Sequence, residues 1–167
     1  FGGNLPVQVT SFVGRDEDVA RIVGMLDEVS LVTLIGTGGV GKTRLAVQVA
    51  AEALPRFEDG AWLCELAAAD DGDTMAQVVA ATLGCRQHPG LSLADSIVEY
   101  VKVRELLLVL DNCEHLLDDA GALADAVLRV CPRVTVLATS REALDVAGER
   151  VMRVRSLDAP AVSAAGE

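Results

Sequence analysis

The chain has 167 residues and a formal net charge of −11, from 25 acidic and 14 basic side chains, which argues against a domain that binds nucleic acid through its bulk charge. Its length suits one domain, and no apolar run approaches the ~20 residues that a membrane-spanning helix needs. The four cysteines form no C-x-x-C pair, so we expect reduced thiols and a cytoplasmic location, without disulfides or a zinc site.

The N-terminal part of the chain predicts a linker, a helix, a strand and a second helix. Residues 1–11 are predicted to be an N-terminal linker, and because the chain begins with Phe1 we expect a processed chain or a piece of a longer protein. A helix is predicted from Asp16, since apolar residues recur at helical spacing and acidic residues occupy its first turn. Residues 31–35 predict a buried strand, and residues 44–54 predict a helix.

The rest of the chain alternates between predicted strands and helices. Strands are predicted at 61–66, 106–110, 134–138 and 151–154, and helices at 74–83, 91–102, 118–130 and, as a short stretch, 142–146. Residues 158–167 are rich in Ala, Ser, Pro and Gly and are predicted to be frayed. The alternation predicts βαβ units and an α/β fold with a parallel sheet, which binds ligands at the carboxyl ends of its strands.

The segment between the first predicted strand and its helix has the pattern G-x-x-x-x-G-K-[ST] in the context that this pattern requires. Its glycines allow a tight curl of backbone around phosphate oxygens, and the positive end of the following helix dipole points at the same anion. The lysine can reach the β- and γ-phosphates, and the threonine hydroxyl can bind Mg²⁺. The predicted nucleotide-binding residues are Gly36, Thr37, Gly38, Gly39, Val40, Gly41, Lys42, Thr43 and Arg44.

An aspartate closes the apolar strand Leu-Leu-Leu-Val-Leu. Asp111 is the expected Mg²⁺ partner of Thr43 and a candidate catalytic residue, although an aspartate at a strand end can also simply cap a turn. Many P-loop ATPases have a general-base glutamate directly after this position, where the present chain has Asn112. Glu114 and His115 could contact water in the site, or could be an ordinary loop carboxylate and a structural histidine. We therefore expect weak ATP hydrolysis at most.

Two arginines are further candidates. Arg141 follows the fourth strand, and if that strand lies beside the first, its guanidinium can reach the γ-phosphate; otherwise it forms a surface ion pair. Arg15 ends the segment Phe-Val-Gly-Arg before the first helix, which from its residues alone is an apolar turn with one cation.

Four segments together resemble the nucleotide-binding domain of STAND (NB-ARC-type) ATPases. They are residues 12–15, the phosphate loop, the string Leu-Val-Leu-Asp-Asn-Cys-Glu-His-Leu-Leu at 108–117, and Ala-Thr-Ser-Arg-Glu at 138–142. Within that family, the chain resembles large bacterial transcriptional regulators with a LuxR-type or SARP-type DNA-binding domain, some of which also carry an adenylate-cyclase domain. The resemblance covers about residues 5–157.

The resemblance implies a P-loop NTPase three-layer sandwich over residues 12–157 with strand order 5-1-4-3-2. It implies that Val13, Gly14 and Arg15 line the adenine side of the nucleotide. Family members are ATP- and ADP-dependent switches that act on other domains of the parent protein and oligomerise with nucleotide. The helical, winged-helix and DNA-binding domains that usually follow are absent from this chain, so we expect nucleotide binding here, with no direct contact to nucleic acid or membrane.

Other classes fit less well. A ParA/MinD-like ATPase needs a lysine where this chain has Thr37. A GTPase needs an N-K-x-D-type motif that recognises guanine, and the chain has none. A small-molecule kinase needs a lid with several arginines after the third strand, where this chain is acidic and has no arginine. The alternative that stays open is an interaction or oligomerisation module that binds nucleotide without significant turnover. The lack of a glutamate after Asp111 favours it, whereas the complete Lys42, Thr43 and Asp111 set opposes it.

Overall fold

A computed structural model describes residues 2–7 and 14–155. Five strands are joined by helices, as the alternating pattern predicts. The strands are β1 (Leu31–Ile35), β2 (Ala61–Glu65), β3 (Leu106–Asp111), β4 (Val134–Ser140) and β5 (Arg150–Arg153). The helices are α1 (Asp16–Glu28), α2 (Lys42–Ala53), α3 (Gly72–Leu83), α4 (Leu93–Val101) and α5 (Leu117–Val130).

The strands form one parallel sheet in the order β2-β3-β4-β1-β5. This is the order implied by the resemblance, so the predicted α/β class, parallel sheet and strand order are confirmed. Strand β4 lies between β1 and β3, with Ile35 in register with Ser140 and Leu110 with Ala138. The carboxyl ends of these three strands therefore meet at one edge, which is where ligands bind in open α/β sheets.

Helices cover both faces of the sheet and produce three layers. Side chains alternate between the faces along each strand: Leu108 and Leu110 pack in the cluster that includes α3, α4 and α5, whereas Leu107 and Val109 pack in the cluster that includes α1 and α2. Every residue of β3 is buried, which explains its continuous apolar run, because a central strand covered on both faces has no solvent side.

The N-terminal segment lies along the β2 edge of the sheet. Gly3 forms a bridge with Ala61 at the β2 edge. The Asn4 side chain accepts a hydrogen bond from the Leu63 N–H at 2.6 Å and donates to the Leu63 carbonyl at 3.0 Å. Part of the predicted linker 1–11 thus covers β2. The domain boundaries at residues 12 and 157 stay predictions, and residues 158–167 lie outside the described residues.

One predicted element is wrong. Residues 142–146 do not form a helix, because the Glu149 carboxylate accepts the N–H groups of Leu144 and Asp145 at 2.8 and 3.0 Å. Asp145 also has a φ of 67°, in the left-handed region. Elsewhere the differences are small: Asp71 caps α3 through the Thr74 N–H, so this helix starts at Gly72, before the predicted residue 74. No helix in residues 2–7 and 14–155 has the length and hydrophobicity to span a bilayer.

We expect Leu108→Ala to lower the free energy of unfolding by about 3 kcal/mol, because it opens a cavity at a fully buried position of the inner strand β3. Chemical denaturation monitored by circular dichroism measures the change. The control is Val103→Ala, at a side chain that is 71% exposed, which should change stability by less than about 0.5 kcal/mol. Equal effects of the two substitutions would contradict the described core.

Candidate functional site

The phosphate loop connects β1 to α2 and turns at two glycines. Gly39 and Gly41 have φ values of 85° and 91°, which side chains with a Cβ rarely adopt. Gly36 is enclosed in a different way, since a Cβ there would lie 2.9 Å from the carbonyl oxygen of Val154. Because α2 begins at Lys42, directly after the loop, the positive end of its dipole lies at the loop and favours an anion.

The Lys42 side chain is hydrogen-bonded to the backbone of the phosphate loop. Its ammonium donates to the carbonyl oxygens of Gly36 at 2.7 Å and Thr37 at 3.1 Å, and the residue is only 8% exposed. A phosphate in the loop would compete with these two carbonyls for the ammonium, and as a charged acceptor it offers the stronger hydrogen bond.

The Asp111 carboxylate accepts hydrogen bonds from three elements. The Thr43 hydroxyl of α2 lies 2.8 and 2.9 Å from its two oxygens. The Thr139 hydroxyl of β4 donates to Oδ1 at 2.6 Å, and the Asn112 amide donates to Oδ2 at 3.3 Å. Asp111 is 3% exposed, so these donors replace much of the water that a carboxylate otherwise requires.

Thr139 also positions the residue after Asp111. Its hydroxyl accepts the N–H of Asn112 at 2.9 Å, and the Cys113 N–H donates to the Thr139 carbonyl at 2.9 Å. Asn112 has a φ of 66°, a conformation that asparagine tolerates better than most residues. The chain after β3 is therefore held against β4 on a strained turn, with Asn112 at the site.

A cleft of about 520 Å³ lies in front of the loop. It is lined by phosphate-loop and α2 residues, by the N-terminal segment and by the turn after β3: Pro6, Val7, Gly38, Gly39, Gly41, Lys42, Thr43, Arg44, Val47, Asn112 and Glu114. One carboxylate oxygen of Glu114 is buried without a hydrogen-bond partner among the described residues. A buried acceptor of this kind can bind a water or another donor in the cleft.

The predicted arginines lie on different sides of the loop. Arg141 reaches it from β4, since a Cβ on Gly38 would be 3.1 Å from the Arg141 Nη2. Arg15 is 3% exposed and donates to the Val40 carbonyl at 2.6 Å and to Asp18 at 3.1 Å. Gly14 and Arg15 line a neighbouring cleft, and Val13 lies outside the described residues. His115 is turned toward the Ala69 carbonyl, 2.8 Å from its Nε2.

Cys113 is a buried cysteine between Asp111 and Glu114 in the sequence. Burial, followed by the negative charges of Asp111 and Glu114, raises the pKa of its thiol to about 12. Because the thiolate is the reactive form, this shift disfavours nucleophilic chemistry at Cys113. The Cys113 Sγ is instead 3.4 Å from the Leu110 carbonyl oxygen, and all four cysteines are free and buried.

The donor set fits magnesium with a phosphate ligand better than a metal held by protein alone. No group of three or more His, Cys, Asp or Glu side chains that could hold a metal occurs in the described part of the chain. Thr43 and Asp111 offer adjacent oxygen atoms, and Mg²⁺ characteristically takes one or two protein oxygens and completes its shell with phosphates and water. These two residues would hold the ion, which supplies charge for binding the phosphates.

Four residues at the site were not among the sequence-predicted ones. Pro6 and Val7 line the cleft from the predicted linker, and Val47 lines it from the second turn of α2. Thr139 contacts Asp111 from β4. The sequence offered a signal only for Thr139, which directly precedes the Ser-Arg pair at the end of a predicted strand.

Comparison with known proteins gives one family and several relatives. The NB-ARC domain model matches residues 15–159. A Mycobacterium tuberculosis protein named "Uncharacterized protein Rv0894" is 44% identical over 149 residues, which are 89% of this chain and 38% of that protein. Another protein of this organism, provisionally named an HTH-type transcriptional regulator (Rv0890c), is 45% identical over 133 residues, or 80% of this chain and 15% of its own. The chain thus spans less than half of these relatives.

Solved structures with low sequence identity share the fold. Cdc6p from Pyrobaculum aerophilum superposes with a TM-score of 0.64 at 16% identity, covering 90% of this chain and 47% of its own. A Signal Transduction ATPase with Numerous Domains (STAND) protein from Pyrococcus horikoshii, with a tetratricopeptide repeat sensor, gives 0.59 at 17% identity, with 90% and 24% coverage. With the family match over most of its length, the chain belongs to the NB-ARC domain family of P-loop nucleotide-binding proteins.

Proposed function

We propose that the chain is the Mg-ATP- and Mg-ADP-binding switch domain of a larger signalling or transcriptional regulator. The observation that carries this proposal is the hydrogen bond between Thr43 and Asp111 at the mouth of the phosphate loop. It brings together a phosphate-loop hydroxyl and a strand-end carboxylate that are 68 residues apart in sequence. A hydroxyl and a carboxylate beside a phosphate site are the protein ligands that a nucleotide-bound Mg²⁺ uses.

Each residue has a role in this proposal. Lys42 would exchange the loop carbonyls for the β- and γ-phosphates, and Thr43 and Asp111 would hold the ion. Arg141, whose guanidinium lies beside Gly38, contacts the γ-phosphate and distinguishes ATP from ADP. The base and ribose are proposed to lie on the side of Val13, Gly14 and Arg15, as the resemblance to the family implies; Gly14 and Arg15 line the cleft next to the phosphate loop.

In this proposal the nucleotide shifts the population between arrangements of the surrounding domains, and ATP is not hydrolysed rapidly. ATP makes a γ-phosphate contact that ADP lacks, so the two nucleotides stabilise different arrangements of the surrounding domains. Asn112, an amide on a strained turn, replaces the usual general base, and Glu114 is the nearest carboxylate that could activate water. We therefore propose slow ATP hydrolysis.

The parent protein is proposed to be a cytoplasmic regulator with further domains. The relative named as an HTH-type transcriptional regulator supports this proposal, and the resemblance suggests a LuxR-type or SARP-type DNA-binding domain, in some members with an adenylate-cyclase domain. Nucleotide-dependent oligomerisation of the parent belongs to the same proposal. DNA binding is assigned to the other domains, since this one is acidic.

We expect Lys42→Ala to weaken Mg-ATP binding at least about tenfold, because it removes the cation that contacts the terminal phosphates. Titration of a fluorescent ATP analogue in the presence of Mg²⁺ measures the affinity. Lys102→Ala is the matched control, since Lys102 is exposed at the end of α4 and should bind as the unmodified chain does. Unchanged affinity in Lys42→Ala would remove the basis of the proposed function.

We expect Thr139→Val to raise the Mg²⁺ concentration needed for half-maximal nucleotide binding by about tenfold, the size of a lost ~1.5 kcal/mol hydrogen bond to a charged group. The control is Thr33→Val on the adjacent strand, because the Thr33 hydroxyl is buried without a partner among the described residues. Nucleotide binding is measured for both variants as Mg²⁺ is titrated. Identical Mg²⁺ dependence in the two variants would show that Thr139 does not position Asp111.

We expect single-turnover ATP hydrolysis to be far slower than the ~10 s⁻¹ typical of enzymes. The residual rate should fall further in Glu114→Gln, which keeps the shape of the side chain but cannot accept a proton from water. Glu99→Gln, on the exposed side of α4, is the control. A rate near 10 s⁻¹ in the unmodified chain would show that Asn112 does not limit the reaction, and then the switch proposal would need a different basis.

A further inference from the structure

The N-terminal segment connects the β2 edge of the sheet to the candidate nucleotide cleft. Gly3 forms a bridge with the start of β2, and further along the chain Pro6 and Val7 line the cleft in front of the phosphate loop. We refer to residues 3–7 as the N-terminal strap. Leu5, in the middle of the strap, packs against the cluster that includes α1 and α2. The strap therefore contacts the domain at both of its ends and between them.

Asn4 binds β2 in the way that a neighbouring strand would. Its side-chain carbonyl accepts the N–H of Leu63 at 2.6 Å, and its side-chain N–H donates to the carbonyl of the same residue at 3.0 Å. The backbone N–H of Asn4 also donates to the Ala61 carbonyl at 3.4 Å. One side-chain amide thus satisfies both backbone groups of a residue at the edge of the sheet, which an edge strand otherwise leaves unpaired.

Glycines allow the strap to approach β2 this closely. A Cβ on Gly3 would overlap the Ala61 carbonyl oxygen, and Gly3 has a φ of 137°, so a side chain at this position would separate the strap from the strand. A Cβ on Gly60, just before β2, would overlap the carbonyl oxygen of Gly2. Gly2 itself is not restricted in this way, since a Cβ there would lie 3.6 Å from its nearest neighbours, an ordinary van der Waals distance.

At the cleft, the strap supplies apolar surface beside the phosphate loop. Pro6 and Val7 line the cleft together with Asn112 and Glu114 from the turn after β3. Val7 is 86% exposed, so its side chain is not part of the core. Neither side chain has a charge or a hydrogen-bonding group, so the two can exclude water without competing for the phosphates. The attraction between Lys42 and a phosphate is stronger where water is excluded.

We propose that Asn4 is a positioning residue that slows the release of bound nucleotide. By anchoring the strap on β2, it holds Pro6 and Val7 at the phosphate end of the cleft. This inference rests on the proposed function, because it requires that the cleft binds ADP or ATP. Release of the strap would open the phosphates to water and salt, and the nucleotide would dissociate faster. The coupling is reciprocal, so bound nucleotide should also stabilise the docked strap.

The test compares two variants that undock the strap with one that leaves it docked. Asn4→Ala removes both side-chain hydrogen bonds to Leu63, and Gly3→Ala adds the Cβ that overlaps Ala61. Gly2→Ala is the matched control, since the same change at the preceding residue meets no close neighbour. The full chain is loaded with Mg²⁺ and a fluorescent ADP analogue and then mixed with excess ADP. Both undocking variants should release the analogue at least about fivefold faster than the unmodified chain, whereas Gly2→Ala should not.

Trp62 reports docking of the strap without nucleotide. It is the single tryptophan of the chain, and its indole lies against the N-terminal segment, because a Cβ on Gly2 would be 3.6 Å from Trp62 Cζ2. The indole Nε1 donates to the Asp59 carbonyl at 2.9 Å. Undocking should expose the ring to water and shift its fluorescence to longer wavelength in Asn4→Ala and Gly3→Ala. Circular dichroism checks that each variant keeps its helices and sheet.

The remaining outcomes decide against the inference. Shifted Trp62 fluorescence with unchanged release of the ADP analogue would show that the strap docks through Asn4 but does not retain nucleotide, and the proposed function would stand. Faster release without the fluorescence shift, or equally fast release from Gly2→Ala, would show that Asn4 does not act through docking. No change in either measurement would show that Asn4 does not anchor the strap. Failure of the unmodified chain to bind the analogue would instead overturn the proposed function, and this inference with it.

Discussion

The carboxylate of Asp111 is the point on which the candidate site depends. It accepts hydrogen bonds from Thr43 on α2 and Thr139 on β4 and from the side chain of Asn112. These contacts are available only because β4 lies between β1 and β3 in a parallel sheet, so that the ends of three strands converge. The strand order, and not the local sequence, brings the hydroxyls of Thr43 and Thr139 to the Asp111 carboxylate. The same order brings Arg141 beside Gly38.

The phosphate loop is held by contacts that a ligand would replace or modify. Lys42 is bonded to the carbonyls of Gly36 and Thr37, while Arg15 is bonded to the carbonyl of Val40. The first contact lies on the cleft side of the loop, where phosphate would take over the ammonium. The second ties the loop to the segment before α1. A change of loop conformation on binding would therefore be transmitted to the start of α1.

Charge is distributed unevenly over this acidic protein. Its cations are concentrated at the phosphate loop and along the β5 edge, while α1, α3 and α5 begin with acidic residues. Acidic side chains near helix starts are favoured by the helix dipole and need no ligand to explain them. Arg21, Arg153 and Arg155 form no ion pair within residues 2–7 and 14–155.

The sequence by itself determined the α/β class, the strands and the phosphate loop, because periodicity and glycine spacing are local properties of the chain. The strand order followed from resemblance to a family. Only the tertiary structure decided the roles of side chains that meet across the sheet: Thr139 beside Asp111, Arg15 behind the loop, and Asn4 on β2. It also overturned the helix predicted at 142–146, since the Glu149 carboxylate takes the N–H groups that a helix would use. Such contacts depend on where the backbone returns in space, which residue spacing does not encode.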